Sequence, residues 1–431
     1  MLQTIRNAWK IDELRKKILF TLFIILLYRI GNAIPVPYVD TALLGEYFKS
    51  LQNTVLGLYN VMSGGAFSSA TIFALSIQPY INASIIIQLL CIAIPALERL
   101  SKEGGEEGQK KIASITRYST VGIGLLQGFA YYILIKNNSL LSESGVWQGI
   151  VIVGTFAAGS ALVMWLGEQI TEFGIGNGIS IILFASIVSR FPNSIISMGS
   201  NVAAGSLKWY TMVLMLLGAL AIIVLIVIVT NAERRIPVQY SKRVVGRKMY
   251  GGQSTHLPMK VNMSGVLPVI FAQSIASLPA TILMFFGITE KSGGFWGGFL
   301  KVFNSSSILY AVIYLLLIIF FSYFYSTIQF NPVEIANNLK KNGGFIPGFR
   351  AGKPTSEFIQ KVLNKITLFG AIYLGIVAVA PIIISVCSKS AAESGISLGG
   401  TSIIIVVGVA LETVRALESQ MLMRHYKGFL E

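Results

Sequence analysis

The stretch Tyr59–Leu90, YNVMSGGAFSSATIFALSIQPYINASIIIQLL, sits inside a mostly apolar run from Val55 to Leu97. That run is far longer than the roughly 20 residues that cross a bilayer core. Its first third holds Asn60, Ser63, Gly64, Gly65, Ser68 and Ser69, which lipid does not favour. The glycine pair raises the cost of continuing a helix, so the pattern predicts a break near Gly64–Gly65. Only from about Ile72 does a span become plausible, and Gln78-Pro79 and Asn82 interrupt it. The stretch therefore reads as a short, half-buried helix at the outer mouth of a membrane helix.

Composition supports the membrane setting. The 431 residues are 54% hydrophobic and only 12% charged, where soluble proteins carry about 25% charged residues. We read an all-α polytopic membrane protein. Cys91 and Cys387 both lie in apolar runs, and His256 and His425 are far apart, so neither a disulfide framework nor a metal site is expected. RAGKPT at 350–355 lacks the spacing of a nucleotide-binding loop. The N-terminus, MLQTIRNAWKIDELRKK (1–17), is basic and amphipathic. It reads as a retained surface helix, not a cleaved signal.

Hydropathy predicts ten spans near 18–35, 71–97, 112–135, 148–167, 178–192, 209–230, 264–288, 308–328, 366–386 and 399–417. Loops on the side of the two termini carry 24 Lys and Arg, against 6 on the other side, which places both termini in the cytoplasm. Much of the net charge of +15 gathers on two long loops, 231–263 and 329–365. They contain RRIPVQYSKRVVGRKMYGG and NGGFIPGFRAGKPT, and both exceed the few residues that connect helices. Turn chemistry mixed with arginine marks them as docking surfaces for acidic protein or for RNA phosphates.

The spans hold almost no ionisable groups. Arg29 and Arg117 lie near span ends, and Glu412 and Arg415 lie one helical turn apart near the inner end of the last span, where they can pair with each other. This weakens the alternative reading, a secondary transporter of a small solute. An intramembrane enzyme is disfavoured too, because no nucleophile–base or paired-aspartate constellation occurs within the spans. Ile77 and Ile81 are four apart, as are Leu183 and Ile187, so each pair shares a helix face. Periodicity alone does not select them from many similar pairs. The polar residues Gln78, Asn82, Gln88, Gln127, Gln273 and Ser274 need partners within the membrane, and suit helices facing one another across a separable interface.

Seven stretches carry a resemblance to the SecY family of protein-conducting translocon subunits: RIGNAIPVP (29–37), SGGAFSSATIFALSIQPYINASIIIQLL (63–90), GEQITEFGIGNGIS (167–180), ERRIPVQYSKR (233–243), HLPMKVNMSGVLPVIFA (256–272), NPVEIANNLKKNGGFIPGFRAGKPT (331–355) and GGTSIIIVVGV (399–409). The resemblance covers essentially the whole chain. It implies two pseudo-symmetric, inverted-repeat halves of five helices (18–192 and 209–417), joined by an outer hinge loop at 193–208, around an hourglass pore. A tail follows at 418–431, and its shortness after Glu418 puts contacts made by longer tails in doubt. The soft segment at about 55–69 would be a plug, with Tyr59, Asn60, Met62, Ser63, Gly64, Gly65 and Phe67. Gly64 and Gly65 would let it swing aside, and its limited hydrophobicity would make leaving easy. The pore ring would be Ile77, Ile81, Leu183, Ile187, Ile270 and Ile405, with leucine where isoleucine is common.

The resemblance also implies a lateral gate between spans two and three and spans seven and eight. Asn82, Gln88, Gln127, Gln273 and Ser274 are the candidates for its polar seam. The docking residues would be Arg234, Arg235, Lys242, Arg243, Arg247, Lys248, Lys340, Lys341, Arg350 and Lys353. Of these, Arg350 matches a functionally sensitive arginine of the family, and Arg243 lies at the tip of the other loop. Implied partners are SecE and SecG, the SecA ATPase, the ribosome, SecD/SecF and YidC, besides preprotein signal sequences and membrane lipid. No cofactor, metal or catalytic residue is expected, since ATP would be consumed by SecA.

Overall fold

A computed structural model describes residues 2–50, 55–102, 104–143, 145–205, 208–240, 243–245, 248–250, 254–263, 265–285, 295–303, 307–387 and 400–427. The first half contains α1 (Leu2–Trp9), α2 (Asp12–Gly31), α3 (Thr41–Ser50), α4 (Val55–Met62), α5 (Gln78–Ala93), α6 (Pro95–Lys102), α7 (Gly105–Asn137), α8 (Val146–Phe173), α9 (Gly178–Val188) and α10 (Phe191–Ala203). The second opens with α11 (Trp209–Asn231) and strands β1 (Glu233–Tyr240), β2 (Arg243–Val245), β3 (Lys248–Tyr250) and β4 (Ser254–Lys260). It continues through α12 (Leu267–Phe285), α13 (Phe295–Val302), α14 (Ile308–Gln329), α15 (Pro332–Lys341), β5 (Gly344–Phe345), α16 (Lys353–Cys387) and α17 (Gly400–Lys427).

Each of the ten expected spans finds a helix, in α2, α5, α7, α8, α9, α11, α12, α14, α16 and α17. Among the described residues six, counting α9 with α10 and α14 with α15, are long and apolar enough to cross a bilayer on those grounds alone. The first half packs α5 on α7, α7 on α8 and α8 on α9; the second packs α12 on α14 and α14 on α16. The halves meet where α9 lies against α17, and where α5 and α7 lie against α12.

Three expectations need correction. The second span does not begin near Ile72: residues 63–77 form successive turns, and the helix starts at Gln78 with Pro79 in its first turn. Ala70 and Ser76 take positive φ, 40° and 50°, which interrupts any helix there. Nor does the span continue to Leu97. Ile94, extended ahead of Pro95, ends it as a residue before proline commonly does, and α6 leaves at 106°. The outer loop at 193–208 is largely the helix α10, with Pro192 in its first turn, where proline is well suited.

The turns of 63–77 survive at membrane depth because their backbone finds partners inside the protein. Ile72 N donates to Ile34 O at 3.0 Å and Val36 N to Ala70 O at 2.8 Å, so the segment after α2 pairs with the base of the soft stretch. Helix starts elsewhere follow local chemistry. Asn177 accepts from Ile179 N and Ser180 N to open α9, and Asn331 accepts from Val333 N and Glu334 N, ahead of Pro332, to open α15. Each is an N-cap worth about 1 kcal/mol.

At the opposite end, the two long loops fold together. Antiparallel β1 and β4 set Ile236 opposite Leu257 and Val238 opposite Thr255, while β5 adds to the other edge of β1. Ile236 and Val238 point inward and Pro237 and Gln239 outward, the alternation of a strand. Together with Met259, Ile346, Ile359 and Leu363 they form one small core. This β-ribbon is an addition to the expected all-helical body.

Candidate functional site: an apolar neck closed by a short helix

The six aliphatic residues come from four helices and enter one buried apolar cluster. Ile77 caps α5 and Ile81 stands one turn on; Leu183 and Ile187 lie on α9, Ile270 on α12 and Ile405 on α17. All six are at most 3% exposed. They belong to one buried apolar cluster, which also takes in Met62 of α4. Both halves thus contribute side chains to this cluster. A constriction lined by such side chains would exclude water, because an apolar neck disfavours a hydrated column.

Met62 is held from both sides. Gln78 Nε2, on α5, donates to its sulfur at 3.0 Å, and Gln273 Nε2, on α12, approaches it at 3.6 Å. A single thioether, a weak acceptor, thereby spans the two halves. Several buried polar atoms on α5, α7 and α12 have no hydrogen-bond partner among the described residues: Gln78 Oε1, both side-chain atoms of Asn82, Gln127 Oε1, Gln273 Oε1 and Ser274 Oγ. Leaving such groups unpaired costs free energy in the state that buries them. Gln88 differs, because Tyr325 OH on α14 donates to its Oε1. Tyr325, which also packs on Phe271 at 5.2 Å between ring centroids, was not among the residues expected from sequence. An interrupted hydrophobic stripe, FFSYFYS at 320–326, is the only signal it offered.

The soft stretch divides in two. α4 packs against α9 and α12, with Leu56, Tyr59, Asn60 and Met62 buried. The turns behind it are fastened to the first half. Asn60 Oδ1 accepts from Ser68 N and Ser63 Oγ from Phe67 N, while Tyr131 OH donates to Phe67 O. Phe67 stacks on Tyr131 at 4.4 Å and meets Phe48 at 5.2 Å. Phe67 therefore sits in an anchored base. Gly64 and Gly65 adopt φ of 69° and 94°, and a Cβ on Gly64 would stand 2.9 Å from Ser186 O; only glycine fits both requirements. Tyr28 OH, bonded to Ser186 Oγ at 2.7 Å and to Ser76 Oγ at 3.2 Å, buttresses the same corner.

The charged pairs rearrange. Glu412 and Arg415 form no ion pair; Arg415 instead donates to Thr230 O and to Asn231 Oδ1 at 2.8 and 2.7 Å. The last carbonyls of α11 lack helical partners, and a guanidinium satisfies them well. Arg117 pairs with Glu168 at 2.8 Å, and Arg29 donates to Ala185 O at 3.2 Å.

Of the basic docking candidates, Arg234, Lys340, Lys341, Arg350 and Lys353 are exposed, as is Arg235, which pairs with Glu233 at 2.8 Å. Arg350 rides a loop framed by Gly348 and Gly352 at φ of 89° and 108°. Phe349 stacks on Phe358 at 4.2 Å, and Thr355 Oγ1 donates to Arg350 O. Arg243 and Lys248 stand on β2 and β3, while Lys242 and Arg247 lie outside the described residues.

A helical membrane body in two halves, closed by an apolar neck and a short helix, defines a channel-type membrane protein. The SecY family model matches residues 71–414. The protein translocase subunit SecY of Streptomyces scabiei is 44% identical, with both chains covered in full. Among solved structures, one described as a protein-conducting channel matches at a TM-score of 0.62 and 18% identity, covering 94% of this chain and 92% of that one. Sec61 in the canine ribosome-channel complex matches at 0.58 and 17%, with the same coverage. The chain belongs to the SecY family.

Proposed function

We propose that this chain is the channel subunit of a bacterial Sec translocase, seated in the cytoplasmic membrane with both termini in the cytoplasm. It conducts unfolded preproteins across the membrane and releases apolar helices sideways into lipid. The observation that carries this reading is the burial of Ile77, Ile81, Leu183, Ile187, Ile270 and Ile405 in one apolar cluster with Met62, the last residue of α4. A gasket of aliphatic side chains accommodates chains of any sequence, since it offers packing and no selective chemistry. The seam of unpartnered polar atoms at Asn82, Gln127, Gln273 and Ser274 supports the lateral gate.

Driving force is external in this reading. SecA, which consumes the ATP, or the translating ribosome docks on the basic β-ribbon and the Arg350 loop; relatives in this fold include a ribosome-bound complex. SecE and SecG complete the membrane complex, with SecD/SecF and YidC as further partners. The chain itself needs no cofactor.

The test is planar-bilayer conductance of the resting channel with no SecA or ribosome present. Ile270→Asn together with Ile405→Asn should wet the neck and leak small ions. A folded double variant as ion-tight as its parent would sink the pore assignment.

A further inference from the structure

A cleft of about 270 Å³ opens where the foot of α16 meets β1, lined by Glu233, Arg234, Val261, Lys365, Ile366 and Phe369. Gly370 makes this junction close: a Cβ there would stand 2.7 Å from Val261 O. The charge in the cleft is unbalanced. Glu233 is engaged by Arg235, whose Nε and terminal nitrogen both lie 2.8 Å from Oε1. Arg234 and Lys365 are exposed, and neither has a carboxylate within ion-pair distance among the described residues.

The wall above the cleft is apolar. Lys365, Phe369, Ile372 and Ile376 follow one another at helical spacing along a single face of α16. Phe369, Ile372 and Ile376 are 61%, 43% and 60% exposed, and no charged residue occurs from Ile366 to Cys387. Two free cations thus stand at the foot of an uncovered hydrocarbon-facing stripe. A soluble anion would use the cations and leave the stripe idle; an amphiphile with an anionic head would use both.

We propose that this cleft binds an anionic phospholipid, its phosphate between Arg234 and Lys365 and an acyl chain along Phe369, Ile372 and Ile376. Guanidinium geometry suits phosphate oxygens, and basic pockets beside membrane helices favour anionic headgroups. The site depends on the chain being embedded in a bilayer. It is independent of which side the termini occupy, and of any role in conduction.

Native mass spectrometry of the full chain from detergent micelles tests it, with dioleoylphosphatidylglycerol, dioleoylphosphatidylcholine or inorganic phosphate as probe. Phosphatidylglycerol should be retained in preference to phosphatidylcholine. Arg234→Gln with Lys365→Gln should lower that retention about thirtyfold, whereas Lys110→Gln with Lys111→Gln, two exposed cations on α7, should leave it unchanged. Arg234→Lys with Lys365→Arg should restore it, which separates lost charge from lost structure. Equal retention of the two lipids, an equal loss in the α7 control, or full displacement of the lipid by inorganic phosphate would each overturn the proposal.

Discussion

Met62 lies at the contact of α4 with α5 and α12. Its thioether accepts from Gln78 and faces the amide of Gln273, so it joins the halves with one atom. Met62→Leu keeps the volume and removes the acceptor, leaving one or two buried amides unpaired. That should cost the closed state about 1 kcal/mol, raising the resting conductance of planar bilayers about fivefold. Unchanged conductance would show that sulfur contributes only bulk. Tyr131→Phe probes the other part of the stretch. Losing the bond to Phe67 O should lower unfolding stability by about 1–2 kcal/mol, read as a shift in denaturant midpoint, while the neck stays tight.

At the scale of elements, α4 and the turns behind it should respond differently to the same kind of damage. Leu56→Ser with Met62→Ser strips the buried face of α4 and should produce leak in a folded protein. Phe67→Ala removes a ring packed among Phe48, Tyr59 and Tyr131, and should cost about 3–5 kcal/mol of stability. Circular dichroism melts beside conductance separate the two outcomes; equal melting loss in both would refute the division. The elements themselves were legible to different degrees. Ten spans can be read from hydropathy because twenty apolar residues have few other uses. The start of α5 could not, because Ile72 to Ile77 is as apolar as the helix it precedes, and only Ser76 and Pro79 marked the turns. The β-ribbon was hidden by its brevity: Ile236 and Val238 are just two inward residues among arginines. The six residues of the neck needed the family resemblance, since Ile77 and Ile81 look like any other pair until α9, α12 and α17 are brought beside them.

For the whole molecule, the basic loops and the proposed gate residues are joined by the packed helices α16, α14 and α12. Arg350→Glu should abolish most SecA-driven translocation into reconstituted vesicles without altering membrane insertion, because reversal replaces attraction with repulsion at an exposed loop tip. Normal translocation by the inserted variant would refute the docking assignment. The proposed gate residue Gln88 was legible as an interior polar group; its partner Tyr325 was not, since a tyrosine within an aromatic run carries no sign of what it faces.

The shared core of the two basic loops has a mechanical consequence. Ile359 and Leu363 of α16 belong to that core, so the Arg350 loop, the β-ribbon and the foot of α16 form a single handle. The handle's shaft is bolted to α14: Tyr323 OH donates to Asn364 O at 3.2 Å, and Ser326 and Thr367 share a hydrogen bond of 2.8 Å. Between those two fastenings on α14 sits Tyr325, whose hydroxyl reaches across to Gln88. Torque applied at the loops would therefore reach the Tyr325–Gln88 hydrogen bond through α16 and α14. Ser326→Ala with Thr367→Val should introduce slack: SecA would still bind and hydrolyse ATP, yet less preprotein would move for each ATP consumed. An undiminished ratio of translocation to hydrolysis would mean that this route transmits nothing.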